Sequence, residues 1–256
     1  MGTTATGFDD ATAALEAIVA RCRATDDRAG YFPAMYLAVT RTVRRRASSG
    51  RFEDPDRMER FVSAFAARYL DARADFEAGR RCPQVWQAAF EAAGRRRPII
   101  LQHLLLGINA HINLDLGVTA AAAGGAGPLE AVQADFDAVN DVLAELVDGC
   151  QAALDEVSPW LHLVDHIGGR HDEALVRFSL VAARRQAWRV ARRVHGVTGP
   201  ARAAAIDAVD VDATHIADLV RHPGIPASAL LLVVRVRERA APREVIDLLA
   251  AVQPSD

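Results

Sequence analysis

Apolar residues recur along most of the chain at spacings of three and four, which is the period of an amphipathic helix. In the N-terminal part, residues 15–22, 32–43 and 58–69 each carry one such stripe. Asp54 and Pro55 have the order of a helix N-cap followed by the first helical residue. Gly50 and Gly79 are expected to end the second and third helices. These patterns predict a succession of helices before residue 80.

The same period continues through the rest of the chain. It predicts helices over residues 83–94, 98–123, 128–158 and 171–195, with a short helix between Pro159 and Gly168. After Pro200 the pattern is weaker. The run LLLVVRV at residues 230–236 has the composition of a buried strand, but it lacks a strand partner, so we expect a helix there. The sequence therefore predicts an all-α fold, a single-domain helical bundle over residues 1–256.

The segment PIILQHLLLGINAHINLDLGVTAAAA, residues 98–123, is the most apolar part of the chain. A helix that is apolar on all sides belongs at the centre of a bundle, with neighbours all round. We therefore expect this helix to be central and almost wholly buried. Its polar residues make it too polar to span a lipid bilayer.

The polar residues of this helix form two seams when successive positions are placed about 100° apart. One seam holds His103, Gly107, His111 and Asp115; the other, on a roughly opposite face, holds Gln102, Asn109 and Asn113. Buried polar groups must be hydrogen-bonded, bind a metal or line a wet cavity. Because Gly107 has no side chain, we expect a concave space there that His103, His111 and Asp115 line together.

His111 and Asp115 form the core of the candidate site. Side chains four residues apart are neighbours on a helix and can hold one divalent cation. His103 could share that metal ion if both histidine rings lean toward Gly107. Asp135, at the margin of the apolar stripe of the 128–158 helix, is the candidate for a second acid. The alternative is a hydrogen-bonded network in which Asp115 orients His111 and no metal is bound.

All 30 basic residues are arginines, and the chain contains no lysine. This absence excludes a Schiff-base lysine, a pyridoxal phosphate lysine and a P-loop. A buried Asp115 can then be neutralised only by arginine, histidine or a metal ion. Arg184, on the same helical face as Trp188, is the arginine expected to reach it. The alternative for Arg184 is that its side chain lies over the tryptophan ring.

Composition narrows the classes of function further. The chain has 256 residues, 25% of them charged, and a net charge of −3, without the basic surplus typical of nucleic-acid-binding proteins. Its three cysteines are widely spaced and form no CxxC pair, which indicates free thiols in a reducing compartment. The first ten residues lack the pattern of a signal peptide. We expect a cytoplasmic protein without a nucleic-acid partner or a membrane span.

The run QHLLLGINAHINLDLG, residues 102–117, resembles the signature of a largely bacterial family, the domain of unknown function 5995 (DUF5995). Further elements that are similar to this family are FPAMYLAVT at residues 32–40, FAARYL at residues 65–70, Asp135-Phe136 with Asn140, and Ala183-Arg184 followed by Ala187-Trp188. The resemblance implies an all-helical fold. It assigns no role to any residue, because the family has no established activity.

These observations favour an enzyme that acts on a small, mostly apolar metabolite in a polar pocket inside a helical bundle. His111 and Asp115, helped by His103 and Asp135, would hold a divalent metal ion. Alternatively, His103, His111 and Asp115 would share general acid–base work, with Arg184 as a further catalytic residue. Hydrolysis, isomerisation and cyclisation are all compatible with these residues. Two alternatives are a non-catalytic protein that binds a small ligand and a structural domain whose polar core is fully hydrogen-bonded.

Overall fold

The structure is a computed structural model that describes residues 7–50, 52, 54–125, 127–158 and 180–253. Within these ranges the chain forms eleven α-helices and no strand, which confirms the predicted all-α fold. The helices are α1 (Phe8–Ala24), α2 (Tyr31–Ser48), α3 (Pro55–Glu77), α4 (Gln84–Ala93), α5 (Ile100–Asn109), α6 (Gly117–Ala123), α7 (Gln133–Val157), α8 (Leu180–Val194), α9 (Gly199–Arg221), α10 (Ile225–Arg237) and α11 (Pro242–Ala250).

Helix ends follow the local signals in the sequence. The Asp54 carboxylate accepts a hydrogen bond of 2.8 Å from the backbone N–H of Arg57, and Pro55 begins α3 as predicted. Gly50 and Gly79, which follow α2 and α3, have left-handed backbone angles φ of 75° and 67°. The run at residues 230–236 lies inside α10 and is helical. The predicted helix at residues 159–168 lies outside the described residues.

A continuous helix, Ile100–Ala123, runs through the centre of the protein and consists of α5, a π-helical turn (Ala110–Leu116) and α6. The expectation that its polar residues make this helix too polar to span a bilayer is wrong, because its length and mean hydropathy would suffice to cross a membrane. However, 89% of its most apolar stretch is buried inside the protein. Helices α2, α3, α4, α8 and α9 pack around it. The prediction of a central, almost wholly buried helix is confirmed.

The seam of Gln102, Asn109 and Asn113 ties the central helix to α9. The Gln102 amide donates to the carbonyl oxygen of Val220 at 2.7 Å, and the Asn109 amide donates to that of Ala213 at 2.8 Å. Asn113 in turn donates to the Asn109 side-chain oxygen at 2.8 Å. These bonds satisfy buried polar groups of both helices, so this seam has a structural role.

Buried carboxylates from distant parts of the chain cap two helix starts. Asp210 accepts from the backbone N–H groups of Gln84 and Val85, at 2.7 and 3.0 Å, where α4 begins. Glu238 accepts from the N–H of Ile100, at 3.1 and 3.2 Å, where the central helix begins. Negative charge is favourable at a helix N-terminus, where N–H groups lack partners within the helix. The two carboxylates thereby fix α4 and the central helix relative to α9 and α10.

One hydrophobic cluster includes residues from Phe8 to Val252 and connects most of the helices. The centre of this cluster is the apolar surface of Ile100–Ala123, with Leu106 and Leu114 fully buried. That residues 1–256 form a single domain stays a prediction, because this range includes residues that the structure does not describe.

Gly117 permits the closest contact between the central helix and α8. A Cβ atom at this position would lie 2.5 Å from the Ala187 carbonyl oxygen and 2.6 Å from the Val190 Cβ. Both distances are far below van der Waals contact. The Ala187 oxygen belongs to the backbone and cannot move away as the end of a flexible side chain could. The two helices therefore approach with no room for a side chain at Gly117.

We expect Gly117→Ala to lower the free energy of unfolding by about 1–3 kcal/mol, because α8 must move away. Gly94→Ala is the control, since the nearest atom to its Cβ would be the Glu91 oxygen at an ordinary 3.6 Å. Gly94 has a helical φ of −71°, so alanine should keep or raise stability there, by up to about 1 kcal/mol. Chemical denaturation measures both variants, and an equal loss would contradict the close contact.

Candidate functional site

Asp115 is a buried carboxylate that binds two side chains from other helices. Its Oδ1 accepts from Arg68 Nε of α3 at 2.8 Å, and its Oδ2 accepts from Trp86 Nε1 of α4 at 2.9 Å. The Asp115 side chain is 1% exposed, whereas that of Arg68 is 28% exposed. The expected ion pair of Asp115 is therefore present, but its cation is Arg68 and not Arg184.

His111 lies against Asp115 and is enclosed by aromatic rings. Its Nδ1 is 3.5 Å from Asp115 Oδ2, at the limit of hydrogen bonding. The imidazole stacks on Phe65, with ring centroids 3.6 Å apart and planes 11° from parallel. Burial lowers the pKa of His111, while Asp115 acts in the opposite direction, and the net shift is downward. The ring is therefore neutral near pH 7.

Two buried polar atoms of this site have no hydrogen-bond partner among the described residues. They are Nε2 of His111 and the hydroxyl of Tyr36, whose rings are 4.3 Å apart. Burial and the charge of Asp115 raise the pKa of Tyr36 well above its ordinary value, so the hydroxyl keeps its proton. The Thr40 side chain acts in the opposite direction on this pKa, but it forms no hydrogen bond of good geometry with the hydroxyl. Buried polar atoms are rarely left unpaired in folded proteins.

The space beside Gly107 is filled by Phe32. A Cβ atom at Gly107 would lie 2.5 Å from two carbon atoms of the Phe32 ring. The missing side chain thus lets α2 approach the central helix and does not leave a gap between the two histidines. The sequence-based expectation of an open space at Gly107 is wrong, because a ring from another helix occupies it.

His103 belongs to different surroundings from His111. Its ring contacts the edge of Tyr31, with centroids 5.7 Å apart, and neither ring nitrogen has a hydrogen-bond partner of good geometry in the described structure. Burial is the main cause that lowers the pKa of His103 to about 4; the charges of Arg28 and Arg235 add to it. The imidazole is therefore neutral near pH 7.

The four residues predicted as metal ligands do not form one site. No group of three or more histidine, cysteine, aspartate or glutamate side chains that could hold a metal ion occurs in the described ranges, which contain His103, His111, Asp115 and Asp135. Asp135 is 2% exposed and forms an ion pair with Arg57 of α3. Asp115 already faces the positive charge of Arg68, which disfavours a second cation. These residues do not fit a shared metal ion.

Arg184 lies in a surface groove between α7 and α8, together with Phe136 and Trp188. It forms no ion pair with Asp115, whose charged neighbours are Arg68 and His111. The Phe136 and Trp188 rings contact each other, with centroids 5.0 Å apart. Arg184 therefore lies at the surface of the protein, apart from the His111 site, which is in the core.

Three residues of the site were not predicted from the sequence: Tyr36, Arg68 and Trp86. Arg68 follows Phe65 by three positions and Phe61 by seven, so helical periodicity places it on the inward stripe of α3. An arginine on an apolar stripe, in a chain without lysine, was the signal that could have found it. Trp86 gave a weaker signal, namely that a buried indole N–H needs an acceptor.

Residues 8–223 match the family described as "Family of unknown function (DUF5995)". Because this match covers most of the chain, the protein belongs to that family. The match includes every residue of the His111 site and ends before α10. No curated protein and no solved structure matches the chain.

The buried His103 predicts a specific loss of stability in acid. The pKa of His103 is about 4 in the folded protein and 6.5 ordinarily, so below pH 6.5 the unfolded chain takes up a proton that the folded protein does not. Unfolding should become easier as the pH falls from 6.5 to 4, by up to about 3 kcal/mol from this residue. His103→Leu should lack this contribution. Chemical denaturation at several pH values measures the free energy of unfolding of both proteins. If the difference between wild type and variant does not change with pH, the prediction is contradicted.

The Arg68–Asp115 pair should contribute more to stability than exposed ion pairs do. We expect Asp115→Asn to cost about 1–3 kcal/mol of unfolding free energy, because it removes the charge from a buried position that Arg68 still faces. Asp75→Asn is the control, since the Arg80–Asp75 pair is exposed by 62% and 35%, and should cost less than about 1 kcal/mol. A double-mutant cycle with Arg68→Met measures the coupling, and a coupling near zero would contradict the pair's importance.

Proposed function

We propose that this protein is an enzyme that acts on a small, mostly apolar molecule, with His111 as its general base and Tyr36 as a hydrogen-bond donor. The supporting observation is that His111 Nε2 and the Tyr36 hydroxyl are buried, belong to contacting rings and have no hydrogen-bond partner in the part of the chain that the structure describes. Asp115 behind them is bound by Arg68 and Trp86. A neutral histidine that a carboxylate holds in place, and whose other ring nitrogen is available, is the usual arrangement for general acid–base catalysis.

The roles follow from the hydrogen bonds and the charges. If Nδ1 carries the imidazole proton, it faces Asp115, and Nε2 is left with a lone pair that can accept a proton. Asp115 then stabilises the imidazolium that forms. Tyr36, which keeps its proton because its pKa is raised, can donate to an oxygen atom of the substrate. Proton removal from a C–H bond or from water suits isomerisation, cyclisation or hydrolysis.

The walls of the site support an apolar substrate. The His111 ring is surrounded by Phe32, Tyr36, Phe65 and Trp86. Phe65 is only partly buried and stacks directly on His111, so it separates the imidazole from the surface. A substrate would reach Nε2 by displacing the Phe65 ring. An apolar part of the substrate would then contact the imidazole in place of that ring.

The contrast between the two seams favours this function over a structural role. A structural polar core should be fully hydrogen-bonded, as the seam of Gln102, Asn109 and Asn113 is. On the other seam, His103 and His111 leave ring nitrogens unpaired within the described structure. Such atoms cost stability unless a ligand completes them. A ligand-binding protein without turnover would use the same atoms and is the alternative outcome of the test below.

We also propose a reducing compartment such as the cytoplasm. Support comes from the cysteines, since Cys22, Cys82 and Cys150 are all free thiols. The net charge of −3, without a surplus of basic residues, supports a small molecule, and not a nucleic acid, as the partner.

The test uses a defined library of small apolar esters, lactones, ketones and epoxides, with consumption followed by mass spectrometry. For any compound consumed, we expect His111→Gln to lower kcat/KM by about 100-fold or more, because a general base is removed. His215→Gln, at an exposed position of α9, is the matched control and should keep full activity. Turnover that survives His111→Gln would contradict the proposal, and binding without consumption would favour the ligand-binding alternative.

The pH dependence provides a second readout of His111. A general base must be neutral, so kcat/KM should fall in acid with a midpoint below 6.5, because burial lowers the pKa of His111. Asp115 raises this pKa, so Asp115→Asn should move the midpoint to still lower pH and reduce the rate. Circular dichroism checks that the variant is folded. A midpoint unchanged in Asp115→Asn would show that this carboxylate does not act through His111.

A further inference from the structure

The groove between α7 and α8 is a second concave site, with a volume of about 500 Å³. Its lining includes two aromatic side chains, Phe136 and Trp188, and three arginines, Arg184, Arg185 and Arg189. We propose that this groove binds a small anionic molecule with an aromatic or similarly flat apolar body. The proposal is independent of the proposed function, because no residue of the His111 site lines the groove.

The charge distribution of α8 supports an anionic ligand. Helix α8 has five arginines and no acidic residue, although the whole chain has a net charge of −3. Arg185 and Arg189 are one turn apart, a spacing at which like charges repel each other. Among the described residues, Arg185 has no ion pair or hydrogen bond, and Arg189 donates only to the neutral Gln186 amide, at 2.6 Å. A bound anion would offset this repulsion.

The aromatic residues support a flat apolar body. Phe136 is 4% exposed and forms the floor of the groove, whereas Trp188 is only partly buried. The Trp188 ring therefore has a surface on which another ring can stack, next to guanidinium groups that bind carboxylate, sulfonate or phosphate oxygens. Asp137 is the single carboxylate among the described lining residues, which include three arginines.

The test compares two fluorescent probes of similar size. 8-Anilinonaphthalene-1-sulfonate has a naphthalene ring and a negative charge, and N-phenyl-1-naphthylamine is its neutral counterpart. Arg185→Gln/Arg189→Gln removes two charges inside the groove. Arg192→Gln/Arg193→Gln removes two charges from the same helix at exposed positions that do not line the groove, and is the matched control.

We expect the groove double variant to weaken binding of the sulfonate probe by about tenfold, because two charge-assisted contacts are lost. The control double variant should weaken it by less than about threefold, because exposed arginines that do not line the groove make no direct contact with the probe and act on it only through salt-screened solvent. Trp188→Leu should weaken binding of the sulfonate probe while circular dichroism remains unchanged. Competition by 2-naphthoate or by 1-naphthyl phosphate then shows which anionic group the groove prefers.

Three results would overturn the proposal. If both double variants weaken binding equally, the attraction comes from the general charge of α8 and not from the groove. If neither variant changes binding, the probe binds elsewhere. If the neutral probe binds the wild-type protein as tightly as the sulfonate, the arginines do not recognise an anion.

Discussion

Asp115 brings a negative charge into the interior of the protein, and the helices around it are arranged so that this charge is bound. An unpaired carboxylate at 1% exposure would be strongly unfavourable. Arg68 of α3 and Trp86 of α4 each donate to one of its oxygens, so the carboxylate joins two helices to the central one. Because the chain has no lysine, the cation is an arginine, and its guanidinium reaches the carboxylate while part of the side chain stays in solvent. His111 and its aromatic neighbours are positioned by the same contacts.

The two polar seams of the central helix differ in role: one holds a neighbouring helix, and the other carries the His111 site. The seam that faces α9 is fully hydrogen-bonded and holds that helix through its backbone carbonyls. The other seam carries His111 and Asp115, which both lie within the π-helical turn Ala110–Leu116. Such turns often occur at functional sites, because the extra residue reorients side chains at a cost in helix stability. Nε2 of His111, which has no hydrogen-bond partner among the described residues, lies on this second seam, where we propose that chemistry occurs.

The His111 site and the arginine groove both lie within the residues that match the DUF5995 family. They differ in character: the first is buried among aromatic rings, with its charges paired, and the second is open, with arginines in excess. The two proposals can fail separately, because their test variants lie on different helices.

Local sequence patterns were sufficient to predict the described helices before Pro200 and the burial of Ile100–Ala123, because helical periodicity and caps depend on residues close together in the chain. After Pro200 the pattern was too weak to place the ends of the helices, and it did not reveal the π-helical turn. Local patterns also indicated that Asp115 must meet a positive charge. Which arginine supplies it was decided by packing: Arg68 lies 47 residues away in sequence, and only the way α3 crosses the central helix brings it close. The same holds for Gly107, since a missing side chain leaves room, but only the tertiary structure shows that Phe32 fills it. The sequence by itself determined the helices and the need for charge neutralisation, whereas the partners were decided by long-range packing, which no local pattern encodes.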